Sequence, residues 1–111
     1  MTRRGRVDLF RGTLDMLVLQ MLGQAPSHGY AIAKEIQHVT EDALAVEEGS
    51  LYPALYRMEK RGLIESAWGL TETNRRAKTY SLTTVGREYL AAEIANWGEF
   101  SSAVGKVLQP R

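Results

Sequence analysis

Apolar residues recur at helical spacing in four segments of the chain. In the third segment, residues 49–65, Leu51, Leu55 and Met58 occupy positions i, i+4 and i+7, which is the spacing of one helix face packed on a core. The other face carries phenols, a proline ring and cations, in the residues Tyr52, Pro53, Tyr56, Arg57 and Lys60. Such a face is too apolar for an ordinary solvated surface and too charged for a core. We therefore interpret it as a contact surface for another molecule.

The first segment, residues 12–29, predicts a helix that is apolar almost all round. Thr13 is placed to act as its N-cap, and Gly23 and Pro26 mark its end. Its apolar positions are Leu14, Met16, Leu17, Val18, Leu19, Met21 and Leu22. A helix with so little polar surface must be buried on more than one side.

The second segment, residues 29–39, predicts a helix that packs one side on the same core. The helix starts near Ser27, and Ile32, Ile36 and Val39 face inward at i, i+4 and i+7. An acidic loop then leads to the third helix, and we interpret it as a solvated connection.

The ends of the third helix are predicted from its capping residues. Ser50 is placed as the N-cap, so that Pro53 occupies the third helical position, where a missing N–H has no carbonyl partner in any case. Gly62 is placed as the C-cap. The proline is therefore expected to mark the start of the helix and not a break in it.

Two short strands and a long helix complete the chain. Residues 63–69 and 78–83 alternate as strands do, around a polar and basic turn, which predicts a hairpin with a charged tip. Thr83 or Thr84 is expected to cap the last helix. Alternating spacings of four and three residues in that helix form a heptad seam of Leu90, Ile94, Trp97, Ser101, Val104 and Leu108.

The heptad seam predicts self-association. A helix that projects beyond a small domain has little of its own chain to pack on, so its seam needs another subunit. We expect a twofold dimer in which the last helix of one chain packs against the first and last helices of its mate. The predicted interface residues are Leu14, Leu17, Met21, Leu90, Ile94, Trp97, Val104 and Leu108.

Composition narrows the class of function. With 111 residues the chain is expected to form one domain, and the absence of cysteine removes disulfides, thiolate metal sites and cysteine nucleophiles. No apolar run is long enough for a membrane span and no apolar signal segment opens the chain, so we expect a cytoplasmic protein without membrane contact. The histidines, acids and glycines match no metal site, catalytic triad or nucleotide-binding loop, so we expect no cofactor, no metal and no enzymatic activity.

The formal net charge is only +1, but its distribution is uneven. Basic residues cluster near the N-terminus, along the third helix and at the hairpin tip, whereas acids gather mainly in residues 41–48. Segregated charge of this kind can give a neutral molecule one basic face. The N-terminal cluster, which includes Arg4, is either a solubilising tail or an arm that touches DNA.

Three helices followed by a basic hairpin are the order of a winged helix-turn-helix. The predicted fold is mainly α with a small β-hairpin (α+β), divided into a basic arm (1–12), a winged domain (13–83) and a C-terminal dimerisation helix (84–111). Such a domain can place its third helix in the major groove of double-stranded DNA and its wing along the adjacent backbone. The predicted DNA-binding residues are Ser50, Tyr52, Pro53, Tyr56, Arg57, Lys60, Arg75, Arg76, Lys78 and Arg4.

Four motifs also carry a family resemblance. In order along roughly residues 12–90 they read GTLDMLVLQML, HGYAIAKEI, EGSLYPALYRMEKRGLIE and RRAKTYSLTTVGREYL, and together they resemble the PadR family of bacterial transcriptional regulators. The resemblance implies a winged-helix fold, a homodimer and ligand-controlled repression. The short C-terminus resembles the smaller branch of that family, in which one long helix replaces a larger domain. Residues that match recognition-helix positions are Ser50, Tyr52, Pro53, Tyr56 and Arg57.

The resemblance also implies a candidate effector-binding residue, Trp97. In some small PadR-like regulators, tryptophans of the last helices flank a pocket at the dimer centre that accepts flat aromatic drugs, and Trp97 has a comparable helix position. The alternative is that Trp97 simply fills the dimer core, since large aromatic side chains more often supply burial.

Two functions of different class remain open. The favoured one is a dimeric repressor that a small hydrophobic or aromatic effector releases from a pseudo-palindromic operator, with half-sites roughly 34 Å apart. The other is a winged-helix protein-interaction module that does not bind DNA. Replacing Arg57, or Arg75 together with Arg76, by alanine separates the two, because only the first function predicts weaker DNA binding and a shallower salt dependence.

Overall fold

The computed structural model describes the backbone of residues 3–110 and the side chains of residues 13–110. In chain order the elements are α1 (Arg3–Gln24), β1 (Ser27–His28), α2 (Gly29–Val39), α3 (Glu48–Lys60), β2 (Ile64–Leu70), β3 (Arg76–Leu82) and α4 (Thr84–Leu108). The strands form one antiparallel sheet in the order β1-β3-β2. This architecture confirms the predicted winged helix-turn-helix with a long last helix.

Helix α1 begins earlier than the sequence analysis predicted. It starts at Arg3, so Thr13 lies inside the helix and the prediction that it is the N-cap is wrong. The predicted burial on more than one side is confirmed. Leu14, Val18 and Leu22 are buried at intervals of four residues, and Leu17 is half-buried beside them.

Helix α2 has the predicted bounds, but its last residue does not face inward. Ile32 and Ile36 are buried, whereas Val39 is 58% exposed. The helix ends at Val39, and the chain then leaves the core through Glu41 and Asp42, which both have left-handed backbone angles. Without packing beyond the last turn, Val39 has nothing to bury it.

Helix α3 packs the predicted stripe into the core. Leu51, Leu55 and Met58 are at most 1% exposed. At its C-terminal end Gly62 has a φ of 77°, its N–H donates to the Glu59 carbonyl at 3.0 Å, and the next N–H donates to the Met58 carbonyl at 3.0 Å. These paired bonds are a Schellman motif, which explains the glycine. The C-cap itself is Arg61, so the prediction that Gly62 is the C-cap is wrong by one residue.

The start of α3 differs from the prediction. The N-cap is Glu47, and Ser50 is already the third helical residue. Pro53 therefore sits at the sixth position, where its missing N–H leaves the exposed Gly49 carbonyl without a helical partner. The prediction that Ser50 caps the helix and that Pro53 is third is wrong, because the helix begins one turn before the residues that signal a start.

Strands β2 and β3 form the wing, and a third strand was missed. β2 pairs with β3 along its full length, from Ile64 opposite Leu82 to Leu70 opposite Arg76. β1 is only two residues long and pairs with the other edge of β3. A strand this short has no periodicity of its own from which it could be predicted.

Helix α4 is anchored at its start and free along most of its length. Thr83 is the N-cap, as predicted, and its Oγ1 accepts a hydrogen bond from the Gly86 N–H at 2.9 Å. Gly86 lies directly against the Leu63 carbonyl, so any larger residue would collide with the backbone of the wing. From Ile94 onward the side chains are exposed, and the molecule measures 58 Å along one axis against 31 and 21 Å along the others.

Candidate nucleic-acid interface

The exposed side of α3 is a narrow stripe of residues spaced like a helix face. Gly49, Pro53, Tyr56 and Lys60 are separated by four, three and four residues, and all of them are exposed. Tyr56 is 66% exposed, and the Lys60 Nζ lies 5.4 Å from the centre of its ring. The stripe thus presents one aromatic ring with a cation held over it, and apolar surface from the proline.

Tyr52 lies at the edge of this stripe and is held by α2. Its ring packs against Gly29, where an added Cβ would lie 2.8 Å from the Tyr52 Cε1. Burial is the main reason that the Tyr52 pKa is raised above its ordinary value of 10.0, and the nearby Glu48 and Tyr30 raise the pKa further. Tyr52 therefore keeps its proton at neutral pH and can donate a hydrogen bond from its hydroxyl group.

Arg57 lies on the opposite edge of the stripe and is tied to α1. Its Nη2 atom is 2.7 Å from the Asp15 Oδ1, with 53% of the arginine side chain and 18% of the aspartate side chain exposed. This bond fixes one side of the guanidinium group, and the remaining N–H donors are free to meet a phosphate. The sequence analysis missed Asp15, because the two residues are 42 positions apart.

The wing carries a second aromatic and basic surface, formed by Trp68, Arg76 and Lys78. Trp68 stands opposite Lys78 in the strand register and is 59% exposed. The Arg76 Cζ lies 4.8 Å and the Lys78 Nζ 5.6 Å from the centre of the indole ring. Two of the predicted cations, Arg76 and Lys78, are therefore grouped around a ring that was not among the predicted site residues.

The wing surface lies on the face of the wing that is turned toward α3. Residues two apart on a strand share a face, so Trp68 lies on the same face as Ser66. Ser66 donates a hydrogen bond to Glu59 of α3 at 2.7 Å, which identifies this face of the wing as the one that packs on α3. Trp68 and its two cations therefore lie on this face, two residues further along β2 than the Ser66 contact.

A groove of about 660 Å³ lies between the loop at the tip of the wing and the start of α2. His28 and Tyr30 line one side, with their rings stacked at 5.7 Å, and Arg75 lies on the wing side. The His28 Nδ1 is 3.0 Å from the Lys78 carbonyl, and because a carbonyl can only accept, this nitrogen carries the proton. His28 thereby fastens the start of α2 to β3, which is a structural role.

The predicted DNA-binding residues fall into two groups in the structure. Those on α3 surround its exposed stripe, namely Ser50, Tyr52, Pro53, Tyr56, Arg57 and Lys60. Those on the wing follow its loop, namely Arg75, Arg76 and Lys78. The side chain of Arg4 lies outside the described side chains, so its part in the surface stays a prediction.

Cation–π pairs are concentrated on this surface. Four pairs occur among the side chains that the structure describes, and three of them join Lys60, Arg76 or Lys78 to a ring on α3 or the wing. A surface of cations beside flat rings suits a partner with negative charge and flat groups, as nucleic acids have.

Helix α4 presents a separate, apolar surface. Ile94, Trp97 and Val104 of the heptad seam are 45%, 44% and 38% exposed, and Leu108 is 75% exposed. Leu90 and Leu14, also predicted for the interface, are instead 7% and 4% exposed, within the core of their own chain. The prediction that these two residues face a partner is wrong, since they have almost no surface left to offer.

The described part of the chain has neither a metal-binding cluster nor a membrane-spanning helix. Residues 13–110 contain no group of three or more histidine, aspartate or glutamate side chains that could hold a metal ion. No helix within the described residues is long and apolar enough to cross a membrane.

Comparison with known proteins gives a family match over most of the chain. The model of the family described as "Transcriptional regulator PadR-like family" matches residues 18–92, which include α2, α3 and the whole wing. The α3 and wing surface falls within the matched region, whereas the exposed seam residues of α4, from Ile94 onward, lie beyond it.

Solved structures with the same fold agree with this match. A transcriptional regulator from Clostridium thermocellum is 32% identical with a TM-score of 0.85, over 92% of this chain and 99% of that chain. A PadR family transcriptional regulator from Eggerthella lenta is 33% identical with a TM-score of 0.81, over 98% of this chain and 93% of that chain. The transcriptional regulator YqjI of Escherichia coli is 29% identical over 71% of this chain, which spans 36% of that longer protein.

Proposed function

Because the chain belongs to the PadR-like family of transcriptional regulators, we propose that it is a homodimeric repressor that binds a pseudo-palindromic operator and is released by a small hydrophobic or aromatic effector. The observation that carries the DNA-binding part is the occurrence of aromatic and basic groups both on the exposed stripe of α3 and on the wing face turned toward it. An operator as target implies that the protein acts in the cytoplasm.

The two parts of this surface have different tasks in the proposed complex. Helix α3 lies in the major groove, where Tyr56 and Lys60 of its exposed stripe approach base edges. Arg75 and Arg76 on the wing meet phosphates, which position the protein without reading sequence. Pro53 adds a rigid apolar contact, of the kind that suits a thymine methyl group.

The dimer forms through α4. Ile94, Trp97 and Val104 lie on one side of the helix, and the C-terminal half of α4 has no packing partner in its own chain. The half-buried Leu17 and Met21 of α1 complete the surface, because α1 packs beside α4. Twofold pairing of this surface presents two copies of α3, which suits half-sites roughly 34 Å apart.

The effector site lies at the same dimer surface. Trp97 and Phe100 have ring centres 6.0 Å apart at 44°, so a flat molecule could pack between them and their symmetry mates. Release of DNA requires that the effector bind more tightly to the dimer arrangement that does not fit the operator. If Trp97 instead only fills the dimer core, its fluorescence is expected to stay unchanged when aromatic compounds are added.

DNA footprinting tests the proposal directly. The wild-type protein, added to the region upstream of its own gene, is expected to protect two segments on one face of the duplex, about one helical turn apart, with two protomers bound. The Arg75→Ala, Arg76→Ala double variant is expected to lose the footprint at the same protein concentration. The Arg87→Ala, Lys106→Ala double variant also removes two positive charges, from exposed surface on α4, and serves as the matched control with an unchanged footprint.

The protein-interaction module is the second candidate, and the same experiment separates it. That function predicts that neither the wild-type protein nor the variants protect any segment. A single protected segment with one bound protomer would support DNA binding but contradict the proposed dimer.

A further inference from the structure

Two positive side chains of the wing share one aromatic ring and have no acidic partner. Arg76 and Lys78 are two residues apart on β3 and lie 4.8 and 5.6 Å from the centre of the Trp68 ring. Among the described side chains the one ion pair joins Arg57 to Asp15, on the other side of α3. The charge of the wing pair is therefore left available for an anion.

The position of Trp68 has no explanation in the folding of the chain. A tryptophan of the core would be covered on both faces, whereas Trp68 is 59% exposed and lies beyond the last buried residues of the wing, Ile64 and Tyr80. Its ring attracts cations through the negative charge of its faces. That attraction offsets the repulsion between two neighbouring like charges and keeps both side chains in place.

Ordering of long side chains is a main cost of binding a phosphate with lysine or arginine. Both residues sample many rotamers when free and lose that freedom on contact with a partner. A ring that already restricts Arg76 and Lys78 reduces the loss. The free N–H groups of both side chains can then point away from the ring toward the same oxygen atoms.

We propose that Trp68, Arg76 and Lys78 form a binding site for one phosphate of the DNA backbone, next to the half-site that α3 contacts. In this site the two cations contact the phosphate oxygens, and Trp68 is a positioning residue that acts through them. The inference rests on the proposed DNA-binding function and adds to it a residue whose role is separate from the cations themselves. A backbone phosphate fits better than a free phosphate ion, because the site is open and lies on the wing face turned toward α3.

The test combines variants of the ring with DNA in which single phosphates are neutral. Fluorescence anisotropy is measured on operator duplexes that carry one methylphosphonate at a time, with wild-type protein, Trp68→Leu and Trp68→Phe. Wild-type protein is expected to lose affinity at one position in each half-site. Trp68→Leu should bind the unmodified duplex about 3- to 10-fold more weakly, and it should no longer respond to that methylphosphonate.

The remaining variants separate a positioning role from a structural one. Trp68→Phe keeps a ring and is expected to restore most of the affinity. Tyr89→Leu removes a comparable ring, which lies 4.8 Å from Arg61, and should leave DNA binding unchanged. If Trp68→Leu melts early, Lys78→Ala replaces it and should lose the same methylphosphonate response.

A spectroscopic measurement reports on the ring itself. Trp97→Phe leaves Trp68 as the single tryptophan, and its emission is expected to change when operator DNA is added but not when inorganic phosphate is added at equal ionic strength.

Three results would overturn the inference. In the first, Trp68→Leu binds DNA as tightly as wild-type protein and gives the same methylphosphonate profile. In the second, Trp68→Phe binds DNA as weakly as Trp68→Leu. In the third, inorganic phosphate alone changes the emission of Trp68. If the wild-type protein shows no salt-dependent binding to any duplex, the proposed DNA-binding function is refuted, and this inference is refuted with it.

Discussion

Replacement of Trp97 by alanine is expected to weaken the dimer by about three orders of magnitude. Trp97 exposes 44% of its surface in the single chain. For a side chain that can bury on the order of 200 Å², roughly 90 Å² is then available for a partner to cover. At about 25 cal/mol per Å² this burial contributes roughly 2 kcal/mol per protomer, and the twofold axis doubles it to about 4 kcal/mol. A change of that size is about a thousandfold in the dissociation constant.

Sedimentation velocity over a wide range of protein concentration measures this effect. Wild-type protein is expected to remain dimeric at concentrations where Trp97→Ala sediments as a monomer. Trp68→Ala is the matched control, because it removes an equally large ring that is 59% exposed but lies on the wing, and it should leave the dimer intact. Should the wild-type dimer prove too tight to dissociate, Ile94→Asp places a charge beside its own symmetry mate and should yield monomers at any concentration.

The proposed pairing of α4 with its symmetry mate is refuted if the Trp97→Ala dimer dissociates no more readily than the control dimer. In that case α4 does not pair through its heptad seam, and the two copies of α3 cannot be held at the predicted distance. A monomeric wild-type protein would refute the dimer directly.

Three further predictions concern the framework of the site. Gly86→Ala should destabilise the fold by about 1–3 kcal/mol in urea unfolding, because the new Cβ meets the backbone carbonyl of Leu63. Gly98→Ala is the control and should be neutral or slightly stabilising, because its new Cβ meets no other atom. Equal effects of the two variants would show that the contact at Gly86 is not tight. Asp15→Asn should cost about 0.2–1 kcal/mol of stability, because it removes the ion pair with Arg57. The same variant should strengthen binding to any duplex, because it removes a negative charge beside Arg57. Unchanged or weaker DNA binding by Asp15→Asn would contradict the proposed contact of Arg57 with DNA. Burial raises the pKa of Tyr80 above its ordinary 10.0. The contribution of the protonated Tyr80 to stability is therefore complete below pH 10.0 and is lost as the pH rises further. Tyr80→Phe should flatten the alkaline fall in melting temperature, and an unaltered fall would contradict the raised pKa of Tyr80.

Most of the fold could be predicted from periodicity, and the errors have local causes. The buried stripe of α3 was predicted because Leu51, Leu55 and Met58 repeat at helical spacing, and burial of one face enforces that spacing. The helix starts were less reliable. Thr13 and Ser50 are good capping residues by type, but a helix continues through such residues when the preceding residues can also be helical, as in α1 and α3.

The site could be predicted only in part, because its geometry depends on contacts between distant residues. The basic clusters were visible in the sequence as runs, but the grouping of Arg76 and Lys78 around Trp68 requires the register of β2 against β3. The ion pair of Arg57 with Asp15 joins α3 to α1 and has no local signal.

Binding of the wild-type protein to DNA from upstream of its own gene tests the central claim most directly. Fluorescence anisotropy is measured at several salt concentrations against a scrambled duplex of equal length. The account predicts tighter binding of the native duplex, and a fall of log K with log salt at a slope of about −0.9 for each phosphate contacted, with several contacts implied. Failure to bind either duplex at low salt would contradict the account and assign the aromatic and basic surface of α3 and the wing to a different partner.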